Sequence, residues 1–462
     1  MSGGITENNP NAPDVLIIGG GVAGLAAAVE LTSQKFSVTL VEQKQRCGGR
    51  TYSFPHAETG DEVDNGQHLM MGCYHATLRY VKTIGTFSKV KLQDNLSIVF
   101  RHQHKPPAEL KAVTLPAPFN ILFGLLRMKS VSFPNRLALL RVGMNLIFKN
   151  PDTDKHLQKI SVRQWLDELR QSEENKKYLW DIIAIGALND STDRISAALF
   201  AKVLKTAFFG SRENSSMMIP QYGLSSVLVN GAVEFIQRNG GKVMLNTGVQ
   251  SVKNTASKIH AVQLQTGEVL KPKVIISAIP YFDLPKIFME EQRKYIPELQ
   301  TLDALTSSPI VTLHLWFDAH FMKEEFVALL DSPLHWVFNK SKMYGKGEEG
   351  LMYLSIVISG ADELVEKSKE ELTDMARGEL QRFYPTASVA KIIHSLIIKE
   401  KRATFSPKVG VEQFRPSHRI SLENFFLAGD WTDTKLPATI EGAIRSGYAC
   451  ATLAGKHLRH SH

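Results

Sequence analysis

Short apolar runs on either side of an alanine-rich segment set the pattern at the start of the chain. Residues 14–18 and 37–41 are mostly apolar and rich in β-branched side chains, which is typical of buried strands. Between them, residues 22–31 carry apolar side chains at spacings of three and four, which predicts a helix. Together these segments predict one βαβ unit.

Helix-rich and strand-rich patterns then alternate. Residues 80–210 carry Leu, Phe, Arg and Lys at helical spacing, interrupted by prolines at positions 116, 118 and 134. Later apolar runs predict strands at 242–245, 261–264, 274–277, 310–317 and 425–428, and helices at 367–383 and from 439 to about 457. Because the two patterns alternate, we expect two interleaved domains rather than two consecutive ones.

A glycine-rich hexapeptide joins the first strand to the first helix. Gly19, Gly21 and Gly24 occupy the three glycine positions of G-x-G-x-x-G, and Ala23 precedes the last of them. In this motif the first glycine permits the turn, the second admits a pyrophosphate, and the third lets helix and strand pack closely. The hexapeptide alone is compatible with a plain tight turn, but the flanking strand and helix favour dinucleotide binding.

An acidic residue follows at the position where a dinucleotide ribose is bound. Glu42 ends the second strand, 18 residues after Gly24, and an acid at this point accepts hydrogen bonds from the ribose hydroxyls. A carboxylate there disfavours a phosphorylated ribose. The motif therefore predicts FAD or NAD rather than NADP.

A second glycine loop distinguishes these two cofactors. Residues 47–51 read Cys-Gly-Gly-Arg-Thr, so that Gly48 and Gly49 permit a close backbone approach and Arg50 offers a forked donor to a diphosphate. Alone, the loop would more readily be an exposed turn with a solvated arginine. Combined with the first motif, it resembles the G-G-R loop of the flavin-dependent amine oxidase and phytoene desaturase superfamily, which implies FAD.

A third motif lies near the other end of the chain, where a strand ends in Gly429 and Asp430 and a helix is predicted to begin. In the superfamily that the loop resembles, such a Gly-Asp pair meets the ribityl-phosphate part of FAD. The helix start, here Thr439, Ile440 and Glu441, meets the isoalloxazine ring and stabilises negative charge on it. Asp430 taken alone is also compatible with a helix cap.

A fourth segment narrows the family. Residues 63–68 read Val-Asp-Asn-Gly-Gln-His and are followed by Gly-Cys-Tyr at 72–74. With residues 429–432 and 436–447, they closely resemble the hydroxysqualene dehydroxylases, the squalene-associated FAD-dependent enzymes of bacterial hopanoid synthesis. Residues 433–435, Asp-Thr-Lys, depart from that family. A segment around Val249 resembles the one that packs on the adenine side of FAD.

The resemblance implies an α/β fold in which a Rossmann-type FAD-binding domain is interleaved with a mixed α+β substrate domain, as in amine oxidases. The FAD-binding domain is expected in three parts, at residues 14–79, 215–284 and 405–458. The substrate domain is expected as a helical part at 80–214 and a sheet part at 285–404.

The resemblance also implies a reaction: hydroxysqualene and reduced FAD give squalene, water and oxidised FAD, so the expected partner is a long-chain isoprenoid substrate. Loss of the allylic hydroxyl leaves a delocalised cation that a hydride quenches, and the protein must supply an acid and a dry apolar path. Asp64 and His68 are the candidate proton donors, and histidine has the better unperturbed pKa. Structural roles, a turn cap for Asp64 and core packing for His68, are also compatible with the sequence, because a lone Asp or His is usually structural.

Composition limits the remaining options. A chain of 462 residues with 43% hydrophobic residues is long enough for two or three folded domains. The net charge of +8 is modest and no nucleic-acid motif is present, so we expect no nucleic-acid partner. Cys47, Cys73 and Cys450 match no metal-site spacing, so we expect no metal and reduced thiols. No second dinucleotide motif is present, and the electron donor, an external reductase or a quinol, stays unidentified.

An apolar and basic stretch suggests a membrane surface as a further partner. Residues 115–148 combine Leu- and Phe-rich runs with Arg127, Lys129, Arg136 and Arg141, which fits either a substrate-domain core or a surface that enters an anionic membrane. The chain has no run of about 18 apolar residues and no signal-peptide pattern in residues 1–13. We therefore expect a cytoplasmic protein, peripheral at the inner face of the membrane.

Two other functions stay open at this point. Phytoene or carotenoid desaturases and amine oxidases share the first three motifs. The segment at residues 63–68 is what distinguishes the hydroxysqualene dehydroxylases from these enzymes. A non-catalytic prenyl-binding escort protein shares the fold but dispenses with flavin. Because Gly19, Glu42, Arg50 and Asp430 are all present, the sequence favours bound FAD and an FAD-dependent oxidoreductase.

Overall fold

The structure is a computed structural model that describes residues 13–129, 131–255 and 257–460. Its strands are β1 (Val15–Ile18), β2 (Val38–Val41), β3 (Ser53–Pro55), β4 (Glu62–Asp64), β5 (Met70–Met71), β6 (Val90–Leu92), β7 (Ser97–His102), β8 (Lys105–Lys111), β9 (Met217–Pro220), β10 (Lys242–Met244), β11 (Val249–Asn254), β12 (Ile259–Leu264), β13 (Val269–Leu270), β14 (Val274–Ser277), β15 (Ser307–Phe317), β16 (Phe326–Leu329), β17 (Trp336–Asn339), β18 (Met352–Ser359), β19 (Ile392–Phe405) and β20 (Phe425–Leu427).

The α-helices are α1 (Val22–Ser33), α2 (His75–Thr83), α3 (Phe119–Arg127), α4 (Phe133–Phe148), α5 (Val162–Glu168), α6 (Glu173–Asn175), α7 (Asp181–Leu188), α8 (Ala197–Phe208), α9 (Asn230–Arg238), α10 (Glu290–Arg293), α11 (Pro297–Gln300), α12 (Lys340–Met343), α13 (Lys369–Phe383) and α14 (Ile440–His460). Within the described ranges, none of these helices is both long and apolar enough to cross a bilayer.

A parallel five-stranded sheet in the order β10-β2-β1-β14-β20 forms the first layer. Its strands come from three distant stretches of the chain, and all of them except the edge strand β10 are buried, as expected when helices cover both faces of a parallel sheet. Helices α1 and α14 pack on each other beside it. The predicted βαβ unit and Rossmann-type sheet are confirmed.

A mixed seven-stranded sheet, in the order β19-β15-β18-β17-β16-β7-β8, forms the second layer. Alternate residues of β15 face opposite sides. Val311, Leu313 and Leu315 belong to the apolar cluster beneath α13, whereas His314 and Trp316 make polar contacts on the other side. This polar face contacts the segment around β4, where Trp316 Nε1 donates to Asp61 Oδ2 at 2.7 Å and the Trp316 side chain packs with Val63.

One expectation for residues 80–214 needs correction. The segment is not helical throughout, because it also contains β6 and the β7–β8 hairpin, which extends the seven-stranded sheet beside β16. Residues 108–111 do alternate between buried and exposed positions. The strand pattern was obscured because β8 is short and its first half contains two adjacent prolines.

Candidate active site

The first glycine loop brings the end of β1 against the start of α1. A β-carbon on Gly24 would lie 2.0 Å from the Gly19 carbonyl oxygen, so only glycine permits this contact. A β-carbon on Gly21 would meet nothing within 4 Å, so the loop faces open space at the helix start. Ala23 is buried in the first helical turn. Open space beside helix N–H groups is the environment that binds a pyrophosphate.

Glu42 lies beside this loop and is almost fully buried. Its Oε2 accepts a hydrogen bond from the Gly20 N–H at 2.7 Å, and its Oε1 accepts one from the Lys44 N–H at 2.9 Å. Each carboxylate oxygen has a second lone pair, so ribose hydroxyls can still be accepted. The backbone therefore fixes the carboxylate at the predicted ribose position.

The second glycine loop packs directly on the first. The Gly48 N–H donates to the Gly20 carbonyl oxygen at 2.8 Å, and a β-carbon on Gly49 would lie 3.2 Å from the Gly21 Cα. The two loops, which were predicted separately from the sequence, thus form one surface. We call this surface, made by residues 19–24, Glu42 and residues 48–50, the FAD cradle.

Arg50 connects the cradle to both sheets. Its Nη2 lies 2.7 Å from Asp430 Oδ1, beyond β20, and its Nη1 donates to the Ala403 carbonyl oxygen of β19 at 2.5 Å. The side chain keeps 42% of its surface exposed while Asp430 keeps 7%, so the guanidinium lines open space. Although burial alone would lower the pKa of Arg50, pairing with Asp430 raises it, and the arginine stays charged.

Two side chains hold the turn at Gly429 and Asp430, and one of them, Arg415, is not predicted by the sequence patterns. The Gly429 N–H donates to Ser446 Oγ at 2.8 Å. The buried Arg415 donates to the carbonyl oxygens of Asp430 and Trp431 and to Thr434 Oγ1. Residues 430–434 thus surround the guanidinium of Arg415. These hydrogen bonds fix the backbone of Asp430, whose carboxylate pairs with Arg50. Arg415 lies outside every recognised motif, so no sequence signal pointed to it.

The start of α14 follows this loop. Thr439 Oγ1 accepts a hydrogen bond from the Gly442 N–H at 3.0 Å and caps the helix. The Ile440 side chain is buried. The Glu441 carboxylate accepts hydrogen bonds from the backbone N–H groups of Ala76 and Thr77 at the start of α2, and the predicted contact of Glu441 with the cofactor stays a prediction.

Val249 begins β11, close to the ribose position. Two residues earlier, the Thr247 N–H donates to the Glu42 carbonyl oxygen at 2.8 Å. Val249 is partly buried against the main apolar cluster. The fold therefore places Val249 on the Glu42 side of the cradle, and its contact with adenine stays a prediction.

Asp64 lies at the end of β4 in a dense set of hydrogen bonds. Its Oδ1 accepts from Ser53 Oγ at 2.7 Å and from the Leu224 N–H at 2.8 Å. Its Oδ2 accepts from Lys340 Nζ at 2.9 Å and from the Tyr344 hydroxyl at 3.2 Å. Four donors therefore occupy the carboxylate.

Lys340 is the charged partner in this set and was not predicted. Its side chain is 0% exposed and that of Asp64 is 1% exposed, and its Nζ also donates to the Gln67 side-chain oxygen. Burial alone would raise the pKa of Asp64, but Lys340 and the other donors lower it. We call Ser53, Asp64, Gln67, Lys340 and Tyr344 the Asp64 cluster. Because the carboxylate is ionised, the geometry does not support Asp64 as a proton donor, and that role stays a prediction.

His68 follows this cluster and is partly buried. Burial lowers the pKa of His68 to about 4. The negative charge of Asp64 opposes this shift, whereas the positive charges of Arg50 and Lys340 add to it. The imidazole is therefore neutral near pH 7. A neutral imidazole donates one hydrogen bond but carries no additional proton. This finding limits the chemistry that His68 could perform as the predicted donor.

The remaining groups to place are the potential metal ligands and the three thiols. No group of three or more potential ligands there is arranged to hold a metal ion. Cys47, Cys73 and Cys450 are free and buried. Burial raises the pKa of Cys47 and Cys73 to about 12, so both are protonated thiols at neutral pH.

Comparisons with known proteins agree with this geometry. The family model described as "Flavin containing amine oxidoreductase" matches residues 22–454. A 15-cis-phytoene desaturase of Glycine max is 25% identical over 456 residues, covering 95% of this chain and 78% of that protein. The hydroxysqualene dehydroxylase of Zymomonas mobilis is 26% identical over 444 residues, covering 96% of this chain and 99% of that protein.

Among solved structures, the cyclohexylamine oxidase of Brevibacterium oxydans is similar in fold, with a TM-score of 0.73 at 17% identity, covering 97% of this chain and all of that chain. The predicted amine oxidase-like fold is confirmed. Open space at Gly21, the fixed Glu42 carboxylate and the half-exposed Arg50 fit the cofactor. The site is that of an FAD-dependent oxidoreductase, which excludes the non-catalytic escort alternative.

Proposed function

The chain belongs to the flavin containing amine oxidoreductase family, and on that premise we propose that it reduces hydroxysqualene to squalene with bound FAD. The observation that carries the proposal is the position of residues 63–68, through which the sequence resembles the hydroxysqualene dehydroxylases. This segment lies beside the cradle, where Asn65 Nδ2 donates to the Arg50 carbonyl oxygen at 3.4 Å. Similarity to the Zymomonas mobilis enzyme along nearly the whole chain supports it.

The cradle and the residues around it each have a proposed contact with the cofactor. The Gly19–Gly24 loop and Arg50 would hold the diphosphate, Glu42 the adenosine ribose, and Asp430 the ribityl-phosphate part. Val249 would contact the adenine, and the start of α14 would stabilise negative charge on the isoalloxazine ring. When bound in its reduced form, FAD supplies a hydride and a proton, so the hydroxyl leaves as water and the atoms balance.

The protein's own contribution is to orient the alcohol and exclude water. We assign His68 the contact with the departing hydroxyl, through a neutral N–H group that polarises the C–O bond, because its pKa of about 4 leaves it uncharged. Asp64, held by Lys340, fixes the turn that presents His68. His68 is thus the proposed catalytic residue and Asp64 a positioning residue. An external donor must reduce the flavin between turnovers.

The test uses anaerobic, photoreduced enzyme mixed with hydroxysqualene. We expect the flavin to be reoxidised and one squalene to form for each flavin, whereas squalene itself should leave the reduced flavin unchanged. Absence of both reoxidation and squalene, in a protein that retains its flavin, would refute the proposal.

A second candidate is desaturation of an isoprenoid, which the similarity to the Glycine max phytoene desaturase favours. Desaturation runs in the opposite redox direction, because the substrate loses hydrogen and reduces the flavin. Oxidised enzyme mixed anaerobically with phytoene separates the two. Flavin reduction with a new double bond would establish the desaturase, and an unchanged flavin spectrum would count against it.

A further inference from the structure

One face of the substrate domain concentrates exposed apolar side chains. Eight of the seventeen large apolar side chains that are exposed in the described ranges fall within residues 115–148, namely Leu115, Phe119, Phe123, Phe133, Leu137, Met144, Ile147 and Phe148. The other nine are scattered over the rest of the described chain. A concentration of this kind marks a contact surface, whereas single exposed apolar residues are ordinary.

Helix α4 carries most of this surface. Phe133, Leu137, Met144 and Phe148 recur at helical spacing along its exposed side, with 61%, 45%, 52% and 85% of their surfaces exposed. The opposite side of the helix is buried in the core. A helix that is apolar on two sides needs a second apolar environment besides the protein core.

Helix α3 extends the same surface. Phe119 and Phe123, one turn apart, are exposed, and α3 and α4 pack on each other. Arg136 ties the helices together by donating to the carbonyl oxygens of Leu126 and Val131. We call the exposed sides of these two helices the α3–α4 face.

The charge of the face is uniformly positive. Residues 110–151 contain six Lys and Arg residues and no Asp or Glu. Arg127, Lys129 and Arg141 are exposed, and Arg141 lies in the apolar row of α4 between Leu137 and Met144.

A shallow groove of about 340 Å³ adjoins the face. It is lined by Arg141, Lys149 and Arg170 together with Met144 and Phe148. Lys149 is paired with Asp154 at 2.7 Å, so the two arginines are the cations that face the groove. Glu168 also lines the groove, and its carboxylate is bound to His156. Guanidinium groups beside apolar side chains match the two parts of a phospholipid, a phosphate and its acyl chains.

We propose that the α3–α4 face docks on an anionic phospholipid bilayer, with the apolar row entering the acyl region and the groove receiving a lipid phosphate. A second copy of the chain fits less well, because a twofold contact would bring Arg127, Lys129 and Arg141 against their own equivalents. Docking itself does not depend on the proposed function. Only its purpose, which is access to a hydrocarbon substrate dissolved in the bilayer, rests on that function.

The test measures how much holoenzyme sediments with sucrose-loaded vesicles. One set of vesicles is pure phosphatidylcholine and the other contains about 30% phosphatidylglycerol, an anionic lipid. We expect stronger binding to the anionic vesicles and partial release by high salt, because screening weakens charge attraction but not apolar insertion. Phe133→Ser with Phe148→Ser should lower the partition coefficient roughly tenfold or more. The control pair Tyr295→Ser with Val389→Ser removes comparably exposed side chains elsewhere and should leave binding unchanged.

A charge-matched pair of variants tests the electrostatic part. Arg127→Gln, Lys129→Gln and Arg141→Gln together should weaken binding to anionic vesicles about 100-fold at low salt. Lys271→Gln, Lys369→Gln and Lys391→Gln make the same change in net charge, from +8 to +5, at exposed sites on other elements, and should have little effect.

The outcomes separate docking from the proposed reaction. Failure of the wild type to bind either vesicle, or equal binding by the face and control variants, would overturn the docking proposal. A wild-type dimer that the face variants convert to a monomer without loss of vesicle binding would assign the face to a second copy instead. Vesicle binding without any dehydroxylation would leave docking standing and refute the reaction alone.

Discussion

The FAD cradle and the Asp64 cluster lie side by side but are built in opposite ways. The cradle is made largely of backbone, from two glycine loops that are close in sequence and joined by a hydrogen bond between Gly48 and Gly20. The cluster is made of buried side chains, and its ion pair joins Asp64 to Lys340 across 276 positions of the chain. A backbone-built site restricts residue identity locally, whereas a side-chain network depends on the whole fold.

Alanine at Gly24 and at Gly21, two glycines of the same loop, should affect the cradle in different ways: the first should disturb the fold and the second should block the cofactor. In Gly24→Ala the added carbon would lie 2.0 Å from the Gly19 carbonyl oxygen, so the loop must move. We expect a loss of roughly 4 kcal/mol or more in folding free energy and little holoenzyme.

Gly21→Ala is the matched comparison, because its added carbon meets no protein atom. The melting temperature of its apoprotein should match the wild type, while FAD affinity falls at least about tenfold as the methyl group enters the pyrophosphate space. Calorimetry and flavin titration measure both. Unchanged FAD affinity in Gly21→Ala would place the diphosphate elsewhere.

Lys340→Met should have the largest effect on the cluster. It leaves the Asp64 carboxylate buried without its cation, which costs about 3–5 kcal/mol in unfolding free energy near pH 7. The pKa of Asp64 should then rise above its unfolded value, so the destabilisation should shrink as pH falls toward 4. Denaturant unfolding of the apoprotein at pH 5 and 8 measures this difference.

The double variant Lys340→Met with Asp64→Leu is the control, since it removes both charges. It should recover part of the lost stability. Equal destabilisation in the single and double variants, independent of pH, would mean that packing rather than charge pairing holds the cluster together.

His68 tests whether the cluster presents a reacting group. His68→Leu should retain FAD but slow flavin reoxidation by hydroxysqualene roughly 100-fold, the usual effect of losing one aimed hydrogen-bond donor, and His68→Gln should restore part of the rate. Because the pKa of His68 is about 4, the wild-type rate should be flat between pH 6 and 8. A tenfold fall per pH unit over that range would instead assign proton donation to the charged imidazolium.

Glu42 tests the part of the cradle that depends on a side chain. Glu42→Ala removes the predicted ribose acceptor and should weaken FAD binding about tenfold, since a hydrogen bond to a charged group contributes about 1.5–3 kcal/mol. Glu423→Ala, which changes an exposed glutamate, is the control for charge. Full flavin retention in Glu42→Ala would show that the backbone alone holds the adenosine end.

The same contrast explains how much of the structure was predictable. The βαβ unit, the two glycine loops and the Gly429-Asp430 turn were predicted because each needs particular residues at a fixed local spacing. Lys340 and Arg415 were not, because a lysine after a strand or an arginine in a loop is ordinary in sequence and gains its role only when distant segments meet. The side-chain contact of Glu441 with α2 was missed for the same reason.

The most direct test of the account is a single turnover of photoreduced enzyme with hydroxysqualene in D₂O, followed by mass spectrometry of the product. The flavin N5–H exchanges with solvent, so a hydride delivered from bound FAD carries deuterium. We predict squalene with one carbon-bound deuterium at the former carbinol carbon, formed in proportion to the flavin that is reoxidised. Squalene without deuterium, or flavin reoxidation without squalene, would contradict it.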